Sequence, residues 1–302
     1  MEAALAQIHA EISQLRPGQR FEGRYACLAK ERLTSRNGSS YLSLRLRDRS
    51  GELAARVFRE ADRIGLRFET GDAVAVRGRA ERYRGELVAE LEDARRLEPG
   101  EFDPEEFLPA AYRSVEELEG FLEHLIREIH DEPLRALVER LLLCGPAAEE
   151  FRRAPCTRGS HHAYLGGLLE HTVAVGTLVG ELCALHPRLD SDLLMASALV
   201  HDIGKTGEFT YGARFGISEE GRLLGHLALG AELIGAAAGG LAAPRRVALL
   251  HCVLSHHGPD AGPARARPGS GGRSGFGSPE ALSLYRLNAL DASVKGALEQ
   301  GL

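Results

Sequence analysis

Apolar and polar residues alternate with a period of two through the first third of the chain, from Gln19 to about Leu97. Such alternation, broken by turn residues, is typical of half-buried β-strands. The dipeptides Asn37-Gly38 and Ser50-Gly51 are hairpin signals on either side of one such stretch. The pattern predicts five strands, in the segments RFEGRYACLAKERL, SSYLSLRLRD, GELAARVFRE, DAVAVRGRAERY and GELVAELEDARRL.

Five short strands joined by tight turns are typical of the OB-fold, a five-stranded barrel with a nucleic-acid-binding face. We expect this barrel over residues 16–98, preceded by a short amphipathic helix over residues 1–15. Four of its aromatic residues are candidates for stacking on bases, although a place in the barrel core explains each of them equally well. These residues are Tyr25, Tyr41, Phe58 and Tyr83.

Beyond the barrel the apolar period becomes helical. A Pro- and acid-rich linker over residues 99–112 precedes SVEELEGFLEHLIREI, in which Ser114 and Glu117 form a capping-box pattern. Helical patterns continue to the C-terminus and predict an all-α bundle over residues 113–302. The Gly- and Pro-rich segment 258–278 interrupts this bundle as an expected flexible loop. The expected fold class is therefore multi-domain α+β.

The predicted barrel region also differs from the rest of the chain in its net charge. Residues 16–98 carry 19 Lys and Arg against 14 Asp and Glu, although the whole chain has a net charge of −6. A basic barrel suits a module that binds a polyanion. The five cysteines form no CxxC pair, which argues against a disulfide framework and a thiolate zinc site. With no apolar run near the roughly 20 residues of a membrane span and no signal-peptide pattern, we expect a cytoplasmic protein without a membrane partner.

Nine of the twelve histidines lie within one third of the chain. His171 lies on the apolar face of a helix predicted from about Gly167 to Leu185. His201 lies on the apolar face of a helix predicted from about Ser191 to Ile203, and Gly204 is placed to end that helix. A single histidine on such a face is usually a core residue, so the grouping matters more than any one member.

Two aspartates also fall among apolar residues: Asp202 directly after His201, and Asp291 on a stripe with Leu284 and Leu287. A buried carboxylate needs a cation or a full set of hydrogen bonds. Imidazole and carboxylate ligands without thiolate suit Mn²⁺, Fe²⁺, Co²⁺ or Zn²⁺. The candidate ligands are numerous enough for two ions that share a bridging carboxylate, an arrangement that hydrolyses phosphoesters.

The ordered pattern H…HD…D, at His171, His201, Asp202 and Asp291, resembles the HD superfamily of metal-dependent phosphohydrolases. The OB-like region with HHAYLGGLLEHT, HDIGK, GRLLGH, LSHHG and FGSPE…LDA resembles the YhaM-type 3′→5′ exoribonucleases over nearly the whole chain. The sequence departs from that family at Ser293, where a lysine is expected after LDA, and in a longer glycine- and arginine-rich insert before FGSPE.

The resemblance implies a role for each member of the cluster. A first ion is held by His171, His201, Asp202 and Asp291, with Asp202 as the bridge. A second ion, or the substrate phosphate, is held by His226, His256 and His257. The implied catalytic residues are Lys205, Asp202 and His162. Lys205 stabilises phosphate charge, and His161 joins His162 in contacting the substrate.

The expected activity is a metal-dependent exonuclease that shortens single-stranded RNA to nucleoside 5′-monophosphates. Two Mn²⁺ ions are the favoured cofactors, with Fe²⁺, Co²⁺ and Zn²⁺ as alternatives; single-stranded DNA as a second substrate and a homo-oligomer are left open. The main alternative is an HD phosphohydrolase acting on nucleotides or cyclic dinucleotides. A non-catalytic RNA-binding protein is less favoured because every implied ligand is present.

Overall fold

The alternating segments form five strands that close into a barrel in a computed structural model, which describes residues 10–35, 37–98, 100–258 and 275–301. The strands are β1 (Arg20–Thr34), β2 (Ser40–Asp48), β3 (Gly51–Val57), β4 (Ala73–Tyr83) and β5 (Glu86–Arg96). Their order around the barrel is β1-β2-β3-β5-β4. The predicted OB-type barrel is confirmed.

The barrel register follows the apolar alternation. In β2, Leu42, Leu44 and Leu46 point inward and are buried, because residues two apart share a face of the sheet. Neighbouring strands pair antiparallel, except β3 and β5, which pair in parallel through Ala54 and Val88. This one parallel pair closes the barrel.

Short helices flank the barrel strands. Helix α1 (Ala61–Gly65) joins β3 to β4, and 3-10 helices lie at Ile12–Gln14 and Pro104–Glu106. Most of the helix predicted over residues 1–15 lies outside the described residues, as do residues 259–274 of the predicted loop. The described residues up to Pro109, together with Tyr211–Gly216, group as one unit, and the remaining described residues form a second.

The second unit is a helical bundle, as the sequence predicts. Its helices are α2 (Val115–Arg127), α3 (Glu132–Glu139), α4 (Ala148–Arg153), α5 (Gly167–Leu185), α6 (Ser191–Val200), α7 (Glu219–Ala237), α8 (Ala243–Ser255) and α9 (Pro279–Gln300). Ser114 caps α2 by accepting a hydrogen bond from the backbone N–H of Glu117. A π-helical turn (Arg140–Cys144) is an addition to the predicted pattern. A second addition is a hairpin of β6 (Phe209–Tyr211) and β7 (Phe215–Ile217), most of which groups with the barrel unit.

Helix α5 packs against α2, α4, α6 and α9 in this bundle. By length and composition alone it could cross a membrane, with a mean hydropathy of 1.4. Nine of its residues are buried, and Leu168, Val175 and Val179 belong to the helical core. Core helices of soluble proteins have the same composition, so the apolar character of α5 is explained by its packing.

The second predicted helix ends earlier than expected. Helix α6 stops at Val200, His201 follows as its C-cap, and a 3-10 helix runs over Ile203–Gly207. Gly204 lies inside that 3-10 helix without a left-handed backbone, so its predicted role as helix terminator is wrong. A Cβ at this position would lie 2.0 Å from the carbonyl oxygen of His226. Gly204 therefore allows the 3-10 helix to contact α7 directly.

Candidate metal centre

His201 and His256 occupy equivalent positions at the ends of two helices. His201 is the C-cap of α6, and His256 is the C-cap of α8. The Nδ1 of His201 lies 2.7 Å from the carbonyl oxygen of Ala198, and the Nδ1 of His256 lies 2.6 Å from that of Val253. Because a carbonyl only accepts, each Nδ1 carries the proton. Each Nε2 therefore presents a lone pair, the form that binds metals.

Asp202 lies between two sets of imidazoles. It follows His201 outside the helix, at φ −106° and ψ 11°, and its side chain is buried. Its Oδ2 lies 3.3 Å from the Nε2 of His201 and 3.7 Å from that of His171. Its Oδ1 lies 3.3 Å from the Nε2 of His256 and 3.6 Å from that of His226. One carboxylate thus faces both sets.

A kink at a glycine positions His226, which lies on the same side of Asp202 as His256. Helix α7 is interrupted at Gly225, whose φ of 71° and ψ of 161° favour glycine, and His226 follows directly. The Nε2 of His226 lies 2.9 Å from the Nε2 of His257. The ligand atoms of Asp202, His226, His256 and His257 all lie within 4.8 Å of one another. The structure brings these four predicted residues together.

Two atoms of the group formed by Asp202, His226, His256 and His257 lack hydrogen-bond partners among the described residues. They are Oδ1 of Asp202 and Nε2 of His256, and both are buried. Each is an acceptor, so leaving them facing one another without a cation is costly. A divalent ion satisfies both at once, and the imidazole and carboxylate donors fit it. The cluster is a divalent-metal site by this criterion.

Charge at the centre is balanced by Lys205. Its Nζ donates to Oδ2 of Asp202 at 2.7 Å, and both side chains are buried. Burial alone raises the pKa of Asp202, but the positive charge of Lys205 opposes this effect, and the pKa lies well below its usual value. Burial likewise opposes the charge of Lys205, yet Asp202 raises its pKa. The pair is therefore ionised at neutral pH.

Burial keeps several imidazoles neutral. It lowers the pKa of His256 to about 3, although the nearby negative charge of Asp202 acts in the opposite direction. Burial also lowers the pKa of His171 and brings that of His161 to about 4. Neutral imidazoles are metal ligands, whereas protonated ones repel a cation.

Asp291 contacts Nδ1 of His171, the ring nitrogen that faces away from His201 and Asp202. Its Oδ2 lies 2.7 Å from Nδ1 of His171 and 3.0 Å from Nε2 of His162. The ligand atoms of His171, His201 and Asp202 lie within 4.8 Å of one another, whereas Asp291 groups with His162 and His171. Burial alone raises the pKa of Asp291, but hydrogen bonds from the two histidines hold it well below its usual value.

His162 is held in a strained turn before α5. Its backbone φ is 48°, in the left-handed region that disfavours side chains, and its side chain is buried. Its backbone N–H donates to the carboxylate of Glu299, 3.1 Å away. Its Nδ1 lies 2.9 Å from the hydroxyl of Tyr164, which donates to Glu170. His161 is half-buried, with its ring 5.4 Å from that of His171.

Two residues at the site had no place in the sequence-based ligand set. Asn288 places its Oδ1 3.0 Å from Nε2 of His171, and Cys156 lies 3.3 Å from Nζ of Lys205. Burial raises the pKa of the Cys156 thiol to about 12, so it stays protonated. Asn288 lies three residues before Asp291 on α9, a spacing that would have identified it.

The four barrel aromatics differ in exposure. Tyr25 is fully buried, and its hydroxyl donates to the carbonyl of Ala10, so its predicted role in base stacking is wrong and it belongs to the core. Phe58 and Tyr83 are 46% and 44% exposed. Phe58 lies 5.4 Å from the ring of Tyr41. Stacking by these three residues stays a prediction.

Arginines surround one of the exposed rings. The guanidinium of Arg56 lies 4.2 Å from the ring centre of Tyr83, and that of Arg84 lies 5.4 Å from it. Cations beside an aromatic face offer both phosphate attraction and base stacking. This barrel surface has the chemistry of a single-stranded nucleic-acid interface.

Comparison with known proteins assigns both units. Residues 168–292 match the HD domain family, and residues 8–97 match an OB-fold nucleic acid binding domain. The 3′-5′ exoribonuclease YhaM of Oceanobacillus iheyensis is 30% identical over 244 residues, which cover 80% of this chain and 76% of that protein. The chain belongs to the YhaM exoribonuclease family.

A second member of the YhaM family, from Listeria welshimeri, is 28% identical over 270 residues, 86% of this chain and 81% of its own length. Among solved structures, the second OB-fold domain of replication protein A from Methanococcus maripaludis is 19% identical. It covers 31% of this chain and 98% of its own, with a TM-score of 0.26. The family assignment rests on the YhaM relatives.

Proposed function

We propose that this protein is a metal-dependent 3′→5′ exoribonuclease that degrades single-stranded RNA to nucleoside 5′-monophosphates. Its relatives are named 3′-5′ exoribonuclease YhaM, and its two units match an HD domain and a nucleic-acid-binding OB-fold. The observation that carries the proposal is Asp202, whose two oxygens each face a different set of imidazoles. That arrangement suits two divalent ions bridged by one carboxylate.

The proposed ligands divide between two ions. His171, His201 and Asp202 would hold one, and Asp202 with His226, His256 and His257 the other. Mn²⁺ is our preferred ion, because neutral imidazole and carboxylate donors without thiolate suit it. Bound ions would supply Lewis acidity and a hydroxide nucleophile at neutral pH.

The protein's own groups position the substrate and balance charge. Lys205 lies against Oδ2 of Asp202 and would offset charge that develops on a phosphoryl oxygen bound at the cluster. His162, whose Nε2 lies 3.0 Å from Oδ2 of Asp291, would contact the substrate beside the cluster. Phe58 and Tyr83 would stack on bases of the single strand, with little base preference.

The preference for RNA over DNA, the cellular location and the oligomeric state are parts of the same proposal. We favour RNA as the substrate because the relatives' name specifies it, and we treat single-stranded DNA as a weaker substrate. We propose a cytoplasmic location, which is compatible with an RNA substrate. A homo-oligomer is compatible with these assignments and is tested by light scattering.

The test is digestion of a 5′-labelled single-stranded RNA with Mn²⁺ or with EDTA. We expect a ladder that shortens from the 3′ end only with metal, with nucleoside 5′-monophosphates as products. Asp202→Asn should abolish it, whereas Glu181→Gln, an exposed acid on α5, should leave it unchanged. Intact RNA together with hydrolysis of a cyclic dinucleotide would replace the proposal with the small-nucleotide phosphohydrolase.

A further inference from the structure

Four acceptor atoms converge between helices α5, α6 and α9. The Nε2 of His171 lies 3.2 Å from the Nε2 of His201, 3.7 Å from Oδ2 of Asp202 and 3.0 Å from Oδ1 of Asn288. All four residues are buried, Asn288 at 6% exposure. The protonation state of each atom decides what can bind there.

The hydrogen-bond partners of the two Nδ1 atoms determine which nitrogen of His171 and of His201 carries the proton. The Nδ1 of His171 lies 2.7 Å from the carboxylate of Asp291, which as an ionised group only accepts. That nitrogen therefore carries the proton, as Nδ1 of His201 does toward its backbone carbonyl. Both Nε2 atoms are left as lone pairs facing one another at 3.2 Å.

The orientation of the Asn288 amide is determined in the same way. Its Nδ2 donates to the carbonyl oxygen of His256 at 3.4 Å. Because that carbonyl only accepts, the amide nitrogen must face it, and Oδ1 must face His171. Oδ1 and Nε2 of His171 thus meet at 3.0 Å with no hydrogen to share. A cation is the group that turns this contact into an attraction.

We infer that the amide oxygen of Asn288 is the fourth protein ligand of the ion held by His171, His201 and Asp202. Asp291 then acts as a positioning residue, which accepts the Nδ1–H of His171 and so directs the opposite nitrogen at the ion. This inference rests on the proposed metal-dependent function and revises the ligand set expected from sequence.

The assignment has a chemical consequence for the first ion. An amide oxygen is neutral, so Asp202 is the one carboxylate among these four donors. Affinity for a divalent ion rises with the number of charged ligands. The site should therefore bind its ion less tightly than one with two carboxylates, and residue 288 should control that affinity.

The test measures Mn²⁺ binding without RNA, from the electron paramagnetic resonance signal of free Mn²⁺. Asn288→Asp should tighten one of the two binding steps about tenfold, because it adds a charged ligand. Asn288→Leu, of similar size, should weaken that step by about 10- to 100-fold. Asp291→Asn keeps an acceptor for His171 and should change it by less than either.

Thermal unfolding separates ligation from a structural role. In EDTA, Asn288→Asp should lower the melting temperature, since it buries a second carboxylate beside Asp202. Excess Mn²⁺ should remove that deficit. A deficit that persists in Mn²⁺, or Asp291→Asn losing the ion while Asn288→Asp gains nothing, would overturn the inference. Normal metal binding without RNA hydrolysis would instead count against the proposed function alone.

Discussion

Oδ1 of Asp202 and Nε2 of His256 lie 3.3 Å apart, and neither has a hydrogen-bond partner among the described residues. His256 cannot supply the missing proton, because its proton is at Nδ1, bonded to the carbonyl of Val253. Two buried acceptors in contact require a cation between them. We therefore expect bound metal to stabilise the fold in addition to any part it takes in catalysis.

Removal of divalent ions should lower the melting temperature of the protein. A ligand that binds only the folded state stabilises it by about 2.7 kcal/mol when present at 100 times its dissociation constant. Differential scanning calorimetry with Mn²⁺ and with EDTA measures the shift. Asp202→Asn removes the shared ligand and should show little difference between the two conditions; an undiminished shift in that variant would place the stabilising ion elsewhere.

Lys205→Met should reduce nuclease activity by about 10²- to 10³-fold, the usual effect of deleting one electrostatic stabiliser. The loss should appear in kcat, because Lys205 opposes charge that grows during the reaction. Removing a cation 2.7 Å from Asp202 should at the same time tighten metal binding. Arg188→Met, at an exposed position, is the control. Weaker metal binding with unchanged kcat at saturating metal would assign Lys205 a structural role.

The metal-free protein should lose stability as the solution is acidified. The pKa of His256 is about 3 in the folded state, against an ordinary value of 6.5 for a solvated histidine. Between these values the unfolded chain binds a proton that the folded chain does not, so the free energy of unfolding falls as pH falls from about 6.5. One such group contributes at most about 1.4 kcal/mol per pH unit.

Urea unfolding in EDTA at pH 7.5 and pH 5 measures this acid sensitivity. His256→Gln removes the titrating group and should reduce the difference between the two pH values. If the variant and the parent lose the same free energy on acidification, then other groups account for the effect.

Tyr83→Ala should weaken binding of single-stranded RNA. Stacking of one base on an aromatic ring contributes about 1–3 kcal/mol. Fluorescence anisotropy with an Asp202→Asn background, which prevents digestion, measures the change. Poly-U and poly-A probes should lose affinity to a similar extent, because stacking carries little sequence information. Tyr25→Phe, at a buried position, should not alter affinity; equal losses in both variants would indicate damage to the barrel.

Gly204→Ala should destabilise the helical unit. The added methyl group would lie 2.0 Å from the carbonyl oxygen of His226, and overpacking of this kind costs about 1–3 kcal/mol or more. Gly235→Ala, on α7 with no atom within 4 Å of the added group, is the matched control. It should stabilise by about 0.4–1 kcal/mol. Equal effects of the two substitutions would contradict the packing role of Gly204.

Most helices and strands were predictable from sequence, because the apolar periodicity and turn residues that indicate them lie within each segment. Period-two alternation and two turn dipeptides identified five strands, and the helix expected from about Gly167 to Leu185 has those bounds. The short hairpin at Phe209–Ile217 was not expected, since three-residue strands leave no detectable periodicity. Gly204 was misassigned because close approach to His226 depends on the tertiary fold.

The composition of the metal centre was predictable, but its geometry was not. Histidine and aspartate patterns identified His201, Asp202 and His256, yet no pattern states which imidazole nitrogen faces inward. That choice depends on carbonyl groups that only the folded helices bring near. Asn288 was overlooked because its neutral amide carries none of the ionisable character by which the other ligands were identified.

The lengths of α6 and α8 determine the directions in which the histidines at their C-terminal ends, His201 and His256, point. Each imidazole is oriented by a carbonyl of its own helix, three residues earlier. Inserting or deleting one residue in either helix would rotate the imidazole about 100° around the helix axis. We therefore expect length changes to be excluded from these two helices in functional variants, while point substitutions at the exposed positions of α8 remain permitted.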